Sequence, residues 1–574
     1  MILEKERTSM KKTSVPQSQV STISENDSKM TSNVQKQQKK VDSLPFECAY
    51  RGEGNANLVI AVPSEHSVIR FRKCDSGNYS SDGGLFRVNR ERDFIKIILS
   101  PFLQPYLNVP EIFRFRRTEL DDFSKMIYSL RPEQRRFKQA VEEYAAKFPD
   151  HAFLPEFLNC CEQNSGRNKS TFCVEIKPKQ GFVSKADQHF PKCPYCLTQY
   201  HKLSKKSISR RSSYCPFDLF SGESNRMRRA LKGLLQNPQN NLKIFKDGVV
   251  VYNENSEASD LKNIFKEWFP NTTESSNNQD EYLDLFCTLV QEALLREFPN
   301  GNRDLNRNSM AFDISQDIQV PSRLNSEIVA KAKKMLYFTN EKCDFTKTDL
   351  PQGSVLNRIL EMQQLHCCGD DIISWIYSKY SPILDDEIIY SSLINCTIVQ
   401  PFSIFNNYMN CSINDEYDYS KRDANEKELP NSKKKSILLL RQEKTCDRNE
   451  RQTLGKFTVQ NNRLLDELSA EKEIVLLENY LLFCTARDCS ILIAFQEFHS
   501  NECNNTHDDY TIQISEELKF LTSVRISDLD PKSVHSVEKH RHRDVQTLQS
   551  VISIIEEELV LESQVQSVNS IERH

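Results

Sequence analysis

The chain has 574 residues, long enough for a large core, yet only 38% of them are hydrophobic and the mean hydropathy is −0.59, so part of it is expected to stay outside any core. No stretch approaches the roughly 18 uninterrupted apolar residues of a membrane helix, since even Ile474–Phe483 is broken by Glu478, Asn479 and Tyr480. The eighteen cysteines follow no regular framework and no export signal accompanies them, so reduced thiols in a cytoplasmic or nuclear protein are expected.

From Met1 to about Lys40 the chain is rich in Ser, Thr, Gln and Lys and lacks an apolar signal core, which reads as a disordered tail. Residues 47–72 read as strands, with a turn at Pro63-Ser64-Glu65-His66. Asp93–Phe113 is apolar and interrupted by Pro101, Pro105 and Pro110. Pro132–Lys147 carries Phe137, Val141, Tyr144 and Ala145 at helical spacing. A strand is expected over Ser170–Ile176, a basic amphipathic helix over Arg226–Leu235 stopped by Asn237-Pro238, and a hairpin over Leu242–Val251 turning at Asp247-Gly248. Glu281–Arg296 and Val355–Leu365 read as helices, Leu481–Phe495 and Glu517–Leu529 as strands, and Val545–Val568 as a terminal amphipathic helix. The polar stretches near 300–353 and 417–460 read as insertions or long surface loops.

Charge is uneven. Between Arg167 and Lys246 there are seventeen Lys and Arg against four Asp and Glu, in a chain whose formal total is −4, and such a local excess suits a polyanion. Pro178 stiffens the backbone between Lys177 and Lys179 and removes a donor, so the two lysines can serve as a phosphate-facing clamp; a surface strand kept soluble by its charges is the alternative. In Arg51-Gly52-Glu53-Gly54-Asn55-Ala56-Asn57 the glycines would let backbone amides approach a phosphate, or would simply make a turn, with Arg70 on the following strand. Ala486-Arg487-Asp488 puts a carboxylate just before an apolar strand. Asp528 and Asp530, at i and i+2, would point the same way along a strand, as a magnesium-nucleotide site requires; a turn closed by Pro531 is the other reading. Cys193-Pro194-Tyr195-Cys196, with His189 before it and His201 and Cys215 after it, has knuckle-like spacing, and a structural zinc site and ordinary thiols both remain open.

Taken in order, these segments resemble the inositol-pentakisphosphate 2-kinases. The family's N-lobe loop looks like Tyr50–Asn55, its Glu-Ile-Lys-Pro-Lys signature stands at Glu175–Lys179, and its Tyr-Cys-Pro-Leu-Asp-Leu-Phe-Ser-Gly run at Tyr214–Gly222 with Phe217 for leucine. Pro-Gln-Asn-Asn stands at Pro238–Asn241, Arg487–Leu492 is similar to Lys-Asp-Cys-Ser-Ile-Met, and Asp528–Lys532 to the terminal Asp-Leu-Asp-Leu-Lys. The resemblance covers roughly residues 47–250, 355–385 and 475–545. It departs at Pro531, at the His535, His540, Arg541, His542 and Arg543 that replace an aromatic-rich segment, and at Lys243, where some members carry arginine.

The resemblance implies an α+β, two-lobed kinase-like fold. Its expected layout is a disordered tail over 1–45, a nucleotide-binding N-lobe over 46–173, a C-lobe over 174–545 with the two insertions, and a C-terminal helix over 546–574. It also implies transfer of the ATP γ-phosphate to the 2-hydroxyl of inositol pentakisphosphate, with Mg2+. Arg51, Gly52, Gly54 and Asn57 would cover the nucleotide, with Arg70, Asn241 and Lys243 at its phosphates and Glu175 by the nucleoside. Arg131, Lys177, Lys179, Lys202, Asn240 and Lys532 would hold the inositol phosphate. Asp488 would be the general base and Asp528 the magnesium ligand, with Asp530 beside it and Lys177 at the reacting groups; His189, Cys193, Cys196 and His201 are the candidate zinc ligands. A monomer needing neither membrane nor nucleic acid is expected. The rival is a non-catalytic module or scaffold gripping nucleic acid or inositol phosphate, which would have no use for Asp488, Asp528 and Asp530 beside a polyanion.

Overall fold

Along Ser67–Cys74 buried and half-buried residues alternate without a break, so Ile69 and Phe71 enter a core while Arg70 and Arg72 face the other way. In the computed structural model, which describes residues 47–158, 169–270, 279–297, 320–339, 342–346, 349–382, 384, 386, 389, 470–498, 505–516 and 518–571, this segment is central to a five-stranded antiparallel sheet. Its members are β1 (Ala49–Glu53), β2 (Asn57–Val62), β3 (Ser67–Cys74), β4 (Glu111–Arg114) and β5 (Ala140–Pro149), in the order β1-β2-β3-β5-β4. Helices α1 (Leu85–Asp93) and α2 (Arg117–Met126) pack on β5. The helix expected over Pro132–Lys147 is therefore corrected to a strand. Ala145 pairs with Phe71 on one side and Phe113 on the other, and a strand covered on both faces shows no period-two pattern.

The second sheet has six strands in the order β10-β11-β9-β6-β7-β8, built from β6 (Thr171–Ile176), β7 (Leu242–Lys246), β8 (Val249–Tyr252), β9 (Ser490–Phe498), β10 (Thr511–Gln513) and β11 (Lys519–Ser527). The β7–β8 hairpin turns at Asp247 and Gly248, both with positive φ, as its Asp-Gly pair leads one to expect. The boundary expected at 173/174 falls inside β6. Both sheets being antiparallel and flanked by helices, the α+β class holds.

Around the second sheet stand α3 (Pro194–Ser204), α4 (Ser224–Gln236), α5 (Ala258–Trp268), α6 (Gln279–Leu295), α7 (Ser326–Phe338), α8 (Val355–Gln363), α9 (Asp370–Tyr380), α10 (Ala470–Ala486) and α11 (Ser536–Ile571). Two further expectations change here. Leu481–Phe495 is not one strand, because α10 runs to Ala486 and only β9 is extended; residues 475–484 are buried on every side, which erases helical periodicity. The stretch near 300–353 is more than a loop: Ala332 and Leu336 of α7 pack against Leu197 and Tyr200 of α3 and Leu548, Val551, Ile552 and Ile555 of α11. The tail and the insertion near 417–460 lie outside the described residues. Among the described residues no helix is long and apolar enough to cross a membrane.

Trp268, 2% exposed, anchors the main core. It stacks on Phe172 with ring centroids 4.8 Å apart and meets Phe286 edge-on, while its Nε1 finds no hydrogen-bond partner among the described residues. Trp268→Ala should cost about 3–5 kcal/mol through the cavity left behind. Trp268→Phe should cost clearly less, since no hydrogen bond is lost; thermal unfolding of the two variants checks the order.

Candidate active site

Strand register gathers the site. Ile176 pairs with Leu242 across β7 and with Ile491 across β9, and Ser527 pairs with Ser490. In antiparallel neighbours this brings the last residues of β6 and β11 and the first of β7 and β9 to one end of the sheet. The residues just beyond, Lys177, Asn241, Asp488 and Asp528, therefore meet although they are hundreds of positions apart. The Lys177 backbone N–H donates to the Asn241 carbonyl at 2.9 Å.

A polar seam crosses the strands there. Lys177 Nζ is 2.8 Å from Asp528 Oδ2, and Ser490 Oγ lies 2.8 Å from the same oxygen and 3.1 Å from Glu175 Oε1. Lys243 Nζ stands 3.7 Å from Glu175. Burial works against the Asp528 charge, but Lys177 and the Ser490 hydroxyl hold its carboxyl below the usual range. Burial also opposes ionisation of Asp488, and Lys532, Arg487 and Lys179 overcome it, holding that carboxyl well below the usual range; Lys532 Nζ is 3.2 Å away. Asp528, Lys179 and Gln239 all have left-handed backbone, with φ of 59°, 62° and 47°. Such conformations cost on the order of 1 kcal/mol each and concentrate where function needs a side chain aimed.

Lys179, Lys202, Arg487 and Asp488 line a cavity of about 750 Å³. Burial pushes both lysine ammoniums below their usual range. Lys202 donates to Gln239 Oε1 at 2.8 Å, and among the described residues neither lysine has a carboxylate partner. Two half-buried ammoniums, of which only Lys179 feels the nearby Asp488 charge, thus face one cavity, an arrangement that suits an anion.

On the first sheet the fold does not require glycine at Gly52 or Gly54: neither has positive φ, and an added Cβ would meet nothing within 4 Å. Arg51 is 3.2 Å from Asp150 and lies over the Phe245 ring, and Arg70 is paired with Glu91 and Asp530. Asn57 Nδ2 donates to the second oxygen of Asp530 at 3.2 Å. Asp530 is thus not aligned with Asp528. The strand ends at Ser527, so the i, i+2 rule does not apply, and both Asp530 oxygens are engaged while Asp528 keeps Oδ1 without a protein donor among the described residues.

Arg131 does not reach the cavity. It is 2% exposed and bidentate to Glu53 at 2.8 Å twice, beside Lys73. Asn241 is likewise buried, its Nδ2 donating to the Tyr195 hydroxyl at 2.9 Å, whereas Asn240 is exposed.

The cysteines form a set of four. Cys193, Cys196, Cys215 and Cys343 bring their sulfurs within 4.8 Å of one another, with Cys193–Cys215 at 3.9 Å and Cys343 3.7 Å from Cys196 and from Cys215. His189 and His201 are not part of it: His189 meets the Phe190 ring edge-on, and His201, more than a turn along α3 from Cys196, lies 3.1 Å from Ser550 on α11. Cys343 sits far off in a polar stretch with no second cysteine near it, so spacing could not find it. Arg487 and Ser490 were also missed as site residues. Their signal was a place beside Asp488 in the segment similar to Lys-Asp-Cys-Ser-Ile-Met.

The sequence matches the family described as inositol-pentakisphosphate 2-kinase over residues 50–546. It is similar to an inositol-pentakisphosphate 2-kinase of Danio rerio, 26% identical over 510 residues that cover 85% of this chain and 89% of that protein. Proteins of the same name from Drosophila melanogaster, 25% identical over 352 residues, and Oryza sativa subsp. indica, 32% identical over 289 residues, align with 44% and 43% of this chain and with 55% and 62% of their own lengths. A match running from the first sheet into the terminal helix takes in every segment that supplies the clustered lysines and aspartates, and the chain belongs to the inositol-pentakisphosphate 2-kinase family.

Proposed function

We propose that this protein transfers the γ-phosphate of ATP to the 2-hydroxyl of inositol 1,3,4,5,6-pentakisphosphate, giving the hexakisphosphate. The observation that carries this reading is the cavity where the unpaired ammoniums of Lys179 and Lys202 stand beside an Asp488 that stays ionised at neutral pH. The cations hold the phosphorylated ring, and Asp488 orients the attacking hydroxyl and takes its proton late in a loose transition state. Lys177 and Asp528, at the strand ends next to that cavity, face the phosphoryl group in transfer; the free Oδ1 of Asp528 suits Mg2+, which when bound neutralises phosphate charge. Backbone at Gly52 and Gly54 covers the nucleotide. Arg70 enters already neutralised by two carboxylates, so it positions the cover more than it supplies net charge.

The four cysteines suit structural zinc. A Zn–S bond of about 2.3 Å sets tetrahedral sulfurs about 3.8 Å apart, the spacing seen here, and four thiolates leave no position for catalysis. Such an ion would tie the start of α3, which carries Lys202, to Cys215 and Cys343.

Incubation with Mg-ATP and inositol pentakisphosphate should yield hexakisphosphate, and Asp488→Asn should lower kcat by about 10²–10⁴-fold. Equal turnover by both would remove Asp488 as base, and no product from either would favour a binding module. Because the folded-state carboxyls of Asp488 and Asp528 lie below their unfolded values, the stability they confer is complete above about pH 5 and is lost as pH falls through the folded values. The gap in denaturation midpoint between the parent and Asp488→Asn should therefore narrow from pH 5 toward pH 2. Elemental analysis should find zinc at one per chain, and Cys343→Ala should lose it and melt at lower temperature; retention of zinc by that variant would sink the four-cysteine assignment.

A further inference from the structure

Charge balance exposes a deficit in the expected ligand set. Five phosphate monoesters carry roughly −8 to −10 at neutral pH. Of the cations expected to meet them, Lys177 is paired with Asp528, Lys532 with Asp488, and Arg131 is buried against Glu53. Of these cations Lys179 and Lys202 alone have no ion-pair partner among the described residues, Lys179 still feeling Asp488, and two ammoniums are far too few for such a ligand.

Four more cations line the same cavity, beside the carboxylates of Asp187, Asp370, Asp371 and Asp544: Arg323, which is paired with Asp370 and Asp544, and Arg487, Lys333 of α7 and Arg543 of α11. Arg487 Nη2 lies 2.8 and 2.9 Å from the two ring nitrogens of His540, one of which can accept its hydrogen bond, with no carboxylate in contact among the described residues. Lys333 and Arg543 form no ion pair or hydrogen bond among the described residues, although pairing is the habit of their helices: Lys331 meets Glu556 at 2.8 Å, and Arg541 meets Glu538. The neighbouring carboxylate of Asp544 is paired with Arg323 at 2.6 Å, although Arg543 also acts on it through space. The packing of α7 and α11 on α3 fixes where both side chains start. Lys333 and Arg543 reach the cavity from α7 and α11, whereas Asp488 stands just before β9.

We propose that Lys333 and Arg543 bind ring phosphates remote from the reacting 2-hydroxyl and thereby set how many phosphates a substrate must carry. This rests on the kinase reading above. Both side chains come from segments outside the core motifs, so this selectivity is built by α7 and α11 rather than by the strand ends that do the chemistry.

The test compares Lys333→Gln, Arg543→Gln and the double variant with the parent and with Lys179→Ala, using inositol pentakisphosphate and a set of tetrakisphosphate isomers. For the pentakisphosphate each single change should raise KM about 3–10-fold and the double change about 10–100-fold, with kcat and the ATP KM held within about twofold and unfolding temperature unchanged. Arg543→Lys should recover part of the loss. The KM penalty should shrink for those tetrakisphosphates that lack the phosphates these side chains meet. An unchanged KM in the double variant, with Lys179→Ala impaired, would overturn this proposal alone. An equal penalty for every tetrakisphosphate would overturn the selectivity it assigns. Absence of turnover by the parent would overturn the kinase reading and this proposal with it.

Discussion

Ile176 is flanked by Leu242 on one side and Ile491 on the other, with Ser527 opposite Ser490 one strand further out, and all the chemistry hangs on that register. Side chains alternate across a sheet, so a slip of one residue in β9 or β11 would turn its buried set outward and carry Asp488 or Asp528 away from Lys177. The pairing is protected by apolar strands. Val174, Ile176, Ile491, Ile493 and Phe495 are all buried, so a wrong register would strip large apolar area from the core. The site is precise because it sits just past the ends of strands that cannot move.

At that end the protein's charges are largely matched among themselves. Lys177 faces Asp528, Lys532 faces Asp488, Lys243 faces Glu175 and Arg70 faces Asp530 and Glu91. Paired in this way, each ion avoids most of the cost of being half-buried alone. The exceptions stand in the cavity, where burial pushes the ammoniums of Lys179 and Lys202 below their usual range and neither has an ion-pair partner among the described residues. Positive charge without an ion-pair partner is thus concentrated in the pocket, while the carboxylates of Asp488 and Asp528 are held below their usual range beside it.

The cavity's outer wall is a separate construction. Helices α3, α7 and α11 share an apolar cluster, and the cysteine set joins the start of α3 to Cys343, a few residues past α7. One helix therefore links Cys193 and Cys196 at its N-terminus to Lys202 near its end. Whatever fixes the sulfurs also fixes the lysine.

The local identity of the site was legible from residue order alone. Glu175–Lys179 stood out through Pro178 and the local excess of positive charge, Asp488 as a carboxylate before an apolar run, and Asp528 through an i, i+2 pairing with Asp530 that does not form, while the roles expected of them came from the family resemblance. Strand Thr171–Ile176, helix Ser224–Gln236 and the Asp247-Gly248 hairpin were readable from local pattern. Tertiary structure alone decided the matters that depend on partners. Burial on both faces made a strand of Ala140–Pro149 and a helix of Ala470–Ala486, because full burial removes the periodicity that distinguishes them. Glu53 drew Arg131 into the interior, Arg70 and Asn57 drew Asp530 away from Asp528, and Cys343 completed a cluster to which histidines had been assigned. Those choices rest on long-range pairing of charges and sulfurs, which spacing along a chain does not encode, since which opposite charge lies within 4 Å is settled only when the elements pack.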